Sequence, residues 1–133
     1  MMTKSIRTVA AALIAVAAAF AGVSAQAPGF QRTVLQQGDL SVPGHQAVMA
    51  RAEFAPGANV GRHTHPGEEI SYVLEGTVTL EVQGQPPKVL KAGDVFLIPA
   101  GKVHDAKNTG TTPAKVLATY VVEKGKPLTT PAQ

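Results

Sequence analysis

Four side chains in the middle of the chain have the types and spacing of a metal site. His63 and His65 stand two apart, and in an extended strand a period of two puts both imidazoles on one face, where they can grip one ion together. Glu69 comes four residues after His65, and a turn through Pro66 and Gly67 can fold its carboxylate back beside the rings. Glu68, one residue earlier, should point to the opposite face. His104 follows Pro99-Ala100-Gly101 on a separate segment, far enough along the chain to approach the same ion from another side. Three imidazoles and a carboxylate make a mixed nitrogen and oxygen set, which favours Mn, Fe, Co, Ni, Cu or Zn over calcium or magnesium. Taken alone, a His-x-His pair suits a solvated strand face as readily as a metal. The chain has no cysteine, so disulfides, thiolate ligands and cysteine nucleophiles are excluded.

The elements that must carry these residues read as strands. Short segments rich in Val, Leu, Ile, Tyr and Phe recur at Ala47–Phe54, Ile70–Leu74, Val78–Val82, Val95–Ile98 and Lys115–Val122. Gly and Pro punctuate them at Pro56-Gly57, Glu75-Gly76, Gly84 to Pro87, Gly93, Pro99 to Gly101 and Gly110, an all-β pattern. Alternation is cleanest in Thr77 to Val82, where Val78, Leu80 and Val82 share one face. No segment beyond residue 25 has helical periodicity. Many short strands in one small domain suit a jelly roll or a small antiparallel barrel.

The same residues complete two motifs. The first is Gly57-x5-His63-x-His65-x3-Glu69-x6-Gly76, and the second is Gly93-x5-Pro99-x-Gly101-x2-His104-x3-Asn108. Every position and spacing is filled, and in this the chain resembles the cupin superfamily, over residues 46–122. The resemblance implies a single-domain β-barrel of the jelly-roll type, with His63, His65, Glu69 and His104 as the metal ligands. Gly57, Gly76, Gly93, Gly101 and Pro99 become turn residues, where positive φ or a preset φ is useful. Asn108 completes the motif without touching metal. The resemblance also implies a homodimer and a small-molecule substrate.

Other polar residues have simpler readings. His45 lies outside both motifs and reads as a surface histidine. Arg51 and Glu53 share a face by parity and form either an ordinary ion pair, the simpler reading, or a lining for the barrel mouth. Tyr72 has the parity opposite to Glu69, so it should face away from the ion and pack between sheets. Ser71, Val73 and the neighbours of His104 are candidate pocket walls.

At the N-terminus, Lys4 and Arg7 precede an apolar run from Val9 to Val23 that ends in small residues. It is shorter than the roughly 20 residues needed to span a bilayer and reads as a secretory signal peptide over residues 1–25, cleaved after Ala25. The expected organisation is then a lead-in over 26–45, the barrel over 46–122 and a flexible tail over 123–133, in the periplasm or the medium. The net charge of +3 includes Lys4 and Arg7, and the remaining basic residues are scattered, so neither nucleic acid nor, after cleavage, a membrane is an expected partner. Four protein ligands leave up to two positions of an octahedral ion free. The open positions suit a catalytic or sensing metal, and the resemblance implies first a metal-dependent, dioxygenase-like oxidoreductase acting on a small oxygen-bearing substrate, with Glu69 able to leave the ion as general base. A noncatalytic protein binding metal or a small ligand, and a lyase or isomerase using the metal as a Lewis acid, are the alternatives.

Overall fold

The computed structural model describes residues 26–133, and the expected signal peptide lies outside them. The described chain is all strand. Its elements are β1 (Phe30–Asp39), β2 (His45–Phe54), β3 (His63–Thr64), β4 (Gly67–Glu75), β5 (Thr77–Val82), β6 (Lys88–Lys91), β7 (Val95–Ile98), β8 (His104–Lys107), β9 (Ala114–Glu123) and β10 (Thr130–Pro131). They form two five-stranded antiparallel sheets, ordered β1-β2-β9-β4-β7 and β10-β3-β8-β5-β6. This is the expected jelly-roll architecture, in the form of two packed sheets and not one hydrogen-bonded ring.

Alternation explains how each strand faces the core. In β9, Ala114, Val116, Ala118, Tyr120 and Val122 are buried and the residues between them are not. In β2 the buried set is Val48, Ala50, Ala52 and Phe54. Register places Ala50 opposite Ala118 and Ala52 opposite Val116, so the inner face at the middle of this sheet is built mostly from small side chains. An interior space is left there between the two sheets. It is lined by Phe30, Phe54 and Ala118 among others, together with His63, Glu69 and His104.

Three segments differ from the sequence expectation. The lead-in contains a full ten-residue strand, β1, which pairs along β2 from Phe30 opposite Phe54 to Asp39 opposite Gln46. Its outer half is polar and exposed, so hydropathy alone conceals it. The C-terminal segment, expected to fray, returns to the sheet that carries the histidines: Thr130 pairs with Thr64, Pro131 with His63, and the Ala132 amide donates to the Arg62 carbonyl at 2.9 Å. Tyr72 faces away from the histidines, as its parity requires, but lies on the outer surface of β4, 45% exposed, and not between sheets.

Candidate metal centre

The two sheets contribute different ligand types. His63 lies on β3 directly opposite His104 on β8, and His104 is in turn opposite Val82 on β5. His65 follows one residue after β3. Glu69 comes from the other sheet, on β4 between Ile98 of β7 and Tyr120 of β9. The period of two puts Gly67, Glu69, Ser71 and Val73 inside and Glu68, Ile70 and Tyr72 outside. Gly67 begins this strand so close to β9 that a Cβ there would stand 1.9 Å from the Val121 carbonyl oxygen. A side chain at 67 would therefore push Glu69 out of its place.

All four side chains are buried, each 3–6% exposed. His65 Nε2 and His104 Nε2 stand 3.0 and 3.2 Å from Glu69 Oε2, and His63 Nε2 stands 3.2 Å from His65 Nε2. The imidazole ligand atoms of His63, His65 and His104 lie within 4.8 Å of one another. The orientation of the rings is set from behind. Nδ1–H of His63 donates to the Gly61 carbonyl at 2.6 Å, that of His65 to the Leu128 carbonyl at 2.6 Å, and that of His104 to the Lys102 carbonyl at 2.9 Å. A carbonyl can only accept, so each Nδ1 carries a proton, and Nε2 is the nitrogen that each ring turns to the centre. Ser71 Oγ donates to Glu69 Oε1 at 2.7 Å, leaving Oε2 for the shared centre.

Ligand atoms about 2.1 Å from one transition-metal ion lie roughly 3.0–3.4 Å apart, which matches the 3.0–3.2 Å separations of His65 and His104 from Glu69 and of His63 from His65. The three imidazoles are thus spaced to hold one ion between them, and the Glu69 carboxylate stands beside His65 and His104 at the same centre.

The titration behaviour agrees. Burial, reinforced by His104 and His65, lowers the His63 pKa to about 4 despite its hydrogen bond to Gly61. The ring is therefore neutral and available as a ligand at physiological pH. Burial works to raise the Glu69 pKa, but hydrogen bonds with His104, His65 and Ser71 outweigh it and hold the carboxyl well below its usual range. Across pH 6.5 to 4 the unfolded chain binds a proton at residue 63 that the folded metal-free chain does not. The stability present above about pH 6.5 is accordingly lost as the pH falls towards 4, by on the order of 3 kcal/mol from His63, and Glu69 adds a loss in the same direction below the carboxylate range. Urea denaturation of metal-free protein at pH 7 and pH 4.5 is expected to show this drop, and His63→Asn to flatten it.

Sequence reasoning missed three contributors. Tyr120 is buried with its ring 4.6 Å from that of His65, and burial together with Glu69 raises its pKa; its place in the alternating inner face of β9 was the available signal. The Leu128 carbonyl, in the tail, had no sequence signal. Asp105 is buried beside His104 but faces away from the centre, accepting from the Asn59 side chain at 3.0 Å and the Gly61 amide at 2.9 Å. It thereby anchors the residue whose carbonyl orients His63. Asn108 is likewise structural: its amide donates to the Phe54 and Thr112 carbonyls, and its oxygen accepts from the Gly110 amide. Arg51 and Glu53 form a partly exposed pair at 3.3 Å on the outer face, and the His45 ring bonds to the Pro43 carbonyl, away from the centre.

The interior space beside the ligands amounts to about 20 Å³, room for about one water. It shares Phe30, Arg32, Val60 and His63 with a larger basin of about 210 Å³ at the surface, walled also by Arg62, Thr129 and Pro131.

Comparison with known proteins agrees with this arrangement. The chain is 38% identical over 89 residues to germin-like protein subfamily 2 member 1 of Arabidopsis thaliana, covering 61% of this chain and 41% of that protein. It is 38% identical over 76 residues to an oxalate-binding protein of Thermotoga maritima, covering 56% of this chain and 62% of that one. The chain thus spans less than two thirds of either relative. Among solved structures it superposes on an oxalate oxidase in complex with the substrate analogue glycolate, with a TM-score of 0.61 and 28% identity over 74% of this chain and 53% of that one. Residues 50–120, which include His63, His65, Glu69 and His104, match the cupin domain family model, and the chain belongs to the cupin superfamily.

Proposed function

We propose that His63, His65, Glu69 and His104 hold one divalent transition metal and that the site is a metal-dependent oxygenase acting on a small oxygen-bearing acid. The observation that carries this reading is the convergence of three Nε2 atoms, two of them within 3.2 Å of Glu69 Oε2, with each ring locked by a backbone carbonyl. A redox-active ion in such a site supplies Lewis acidity and a place for dioxygen beside the substrate. The protein's own part is orientation and exclusion. Phe30, Phe54, Val60 and Phe96 keep the interior apolar, and the confined space next to His63 and His104 admits only the head of a substrate that otherwise rests in the basin. While Glu69 keeps its hydrogen bonds it accepts protons poorly, so a role as general base requires those contacts to open first.

The relatives support the substrate class, since one is named for oxalate binding and a structural neighbour was solved with glycolate. Oxygen uptake by Mn- and Fe-reconstituted protein with oxalate and with glycolate tests the reading: uptake above the metal-free control is expected with at least one of them. Binding without uptake would favour a noncatalytic role. That second reading draws on the walls of the interior, where, among the described residues, Arg32 and Tyr120 are the only titratable groups besides His63, Glu69 and His104.

The leader supports export to the periplasm or the medium. Pairing of two copies is supported by a contiguous exposed apolar patch on the outer face of β4 and β7, where Ile70 sits opposite Leu97 and Tyr72 opposite Val95. Sedimentation equilibrium is expected to give the mass of a dimer for the wild type and of a monomer for Leu97→Asp; a monomeric wild type would overturn the pairing.

A further inference from the structure

Arg32 stands where the surface basin meets the interior of the site. It lines the basin together with His63 and Arg62, and it lines the interior space together with His63, Glu69 and His104. Its guanidinium carbon lies 5.4 Å from the Phe30 ring centre and 5.6 Å from that of Tyr120, so two aromatic faces hold the cation in place. Nη1 donates to Thr129 Oγ1 at 2.8 Å. Nε is buried and has no hydrogen-bond partner among the described residues.

No carboxylate answers this charge. Among the described residues Arg32 makes no ion pair, and residues 1–25 contain no Asp or Glu. Glu69, the carboxylate in the same interior, has Oε1 engaged by Ser71 and Oε2 turned to His65 and His104. Among the described residues the basin lining holds two arginines and no acidic residue. A buried cationic donor left unmade is costly, and a guanidinium offers a planar fork that matches a carboxylate.

We propose that Arg32 is the anion receptor of the site, selecting small substrates that carry a carboxylate by pairing with it at the junction of basin and interior. This rests on the basin and interior being the substrate's route, as in the function proposed above. The carboxylate supplies the acceptor that Nε lacks, and the adjacent end of the molecule reaches the ligand centre past His63. Arg62, exposed at the rim, adds attraction without fixing orientation.

The test compares glycolate with its neutral amide, glycolamide, by isothermal titration into metal-loaded wild type, Arg32→Gln and Arg32→Lys, with metal content measured on each. An ion in the site has its own preference for the anion, common to all three proteins, so the change in preference isolates Arg32. The ratio of glycolate to glycolamide affinity is expected to fall about tenfold in Arg32→Gln at unchanged metal content, consistent with loss of charge-assisted hydrogen bonds, and to be partly retained in Arg32→Lys. A ratio that changes by less than about twofold in Arg32→Gln overturns the proposal, and so does a wild type that binds neither probe. If the wild type takes up no metal, the ligand reading fails separately, and the same ratio measured on the metal-free chain decides the role of Arg32.

Discussion

His104→Ala is expected to weaken binding of a divalent transition metal by a factor of 100 or more while leaving the fold intact. Sharing the roughly 10–16 kcal/mol of a tightly held ion among four ligands assigns about 3 kcal/mol to each. His104 is the only imidazole supplied by β8, and its Nε2 is 3.2 Å from the Glu69 oxygen that faces the centre. Its removal leaves two imidazoles and one carboxylate, with a gap on the side of β8. The backbone has no comparable stake, because β8 is held by β5 and β3 whatever the side chain. Chelator competition read against far-ultraviolet circular dichroism separates the two effects. Tight binding by His104→Ala would remove this residue from the ligand set.

Truncation after Lys126 is the second large effect, and it touches no ligand. It removes the Leu128 carbonyl that fixes the His65 tautomer, the Thr129 hydroxyl that holds Arg32, and the strand that covers His63 and Thr64. Partners that orient a metal ligand from behind are typically worth 10–100-fold in metal affinity. Leu128 also packs against the cluster of Val48, Ala50, Ala118, Tyr120 and Val122, so a stability loss of about 2 kcal/mol is expected from its burial. Chelator competition and urea denaturation on the truncated chain measure the two separately. Unchanged metal affinity would mean that His65 is oriented without the tail.

What was legible in the sequence follows from which features are periodic or spaced. Parity in β4 and alternation in β5 gave the inward positions of Glu69, Val78 and Leu80, and the two motifs marked all four polar residues that converge. The outward placement of Glu68 and Tyr72 followed from parity alone. What escaped depended on long-range contact. β1 has a polar outer half because it is an edge strand, and an edge strand's place comes from backbone pairing with β2. The tail, with its prolines and polar residues, has the composition of a frayed end, yet a single carbonyl at residue 128 reaches a histidine 63 positions away in the chain. Arg32 has no motif around it, and its significance lies in the absence of a carboxylate nearby, which is a property of the fold.

The central claim is that this chain is built to hold one transition-metal ion with His63, His65, Glu69 and His104. Elemental mass spectrometry on protein purified without added metal, and again after reconstitution and desalting, tests it most directly. About one equivalent of a single transition metal per chain in the wild type, and none retained by His104→Ala, is the predicted result. A wild type that carries no metal and takes up none on reconstitution would contradict the account.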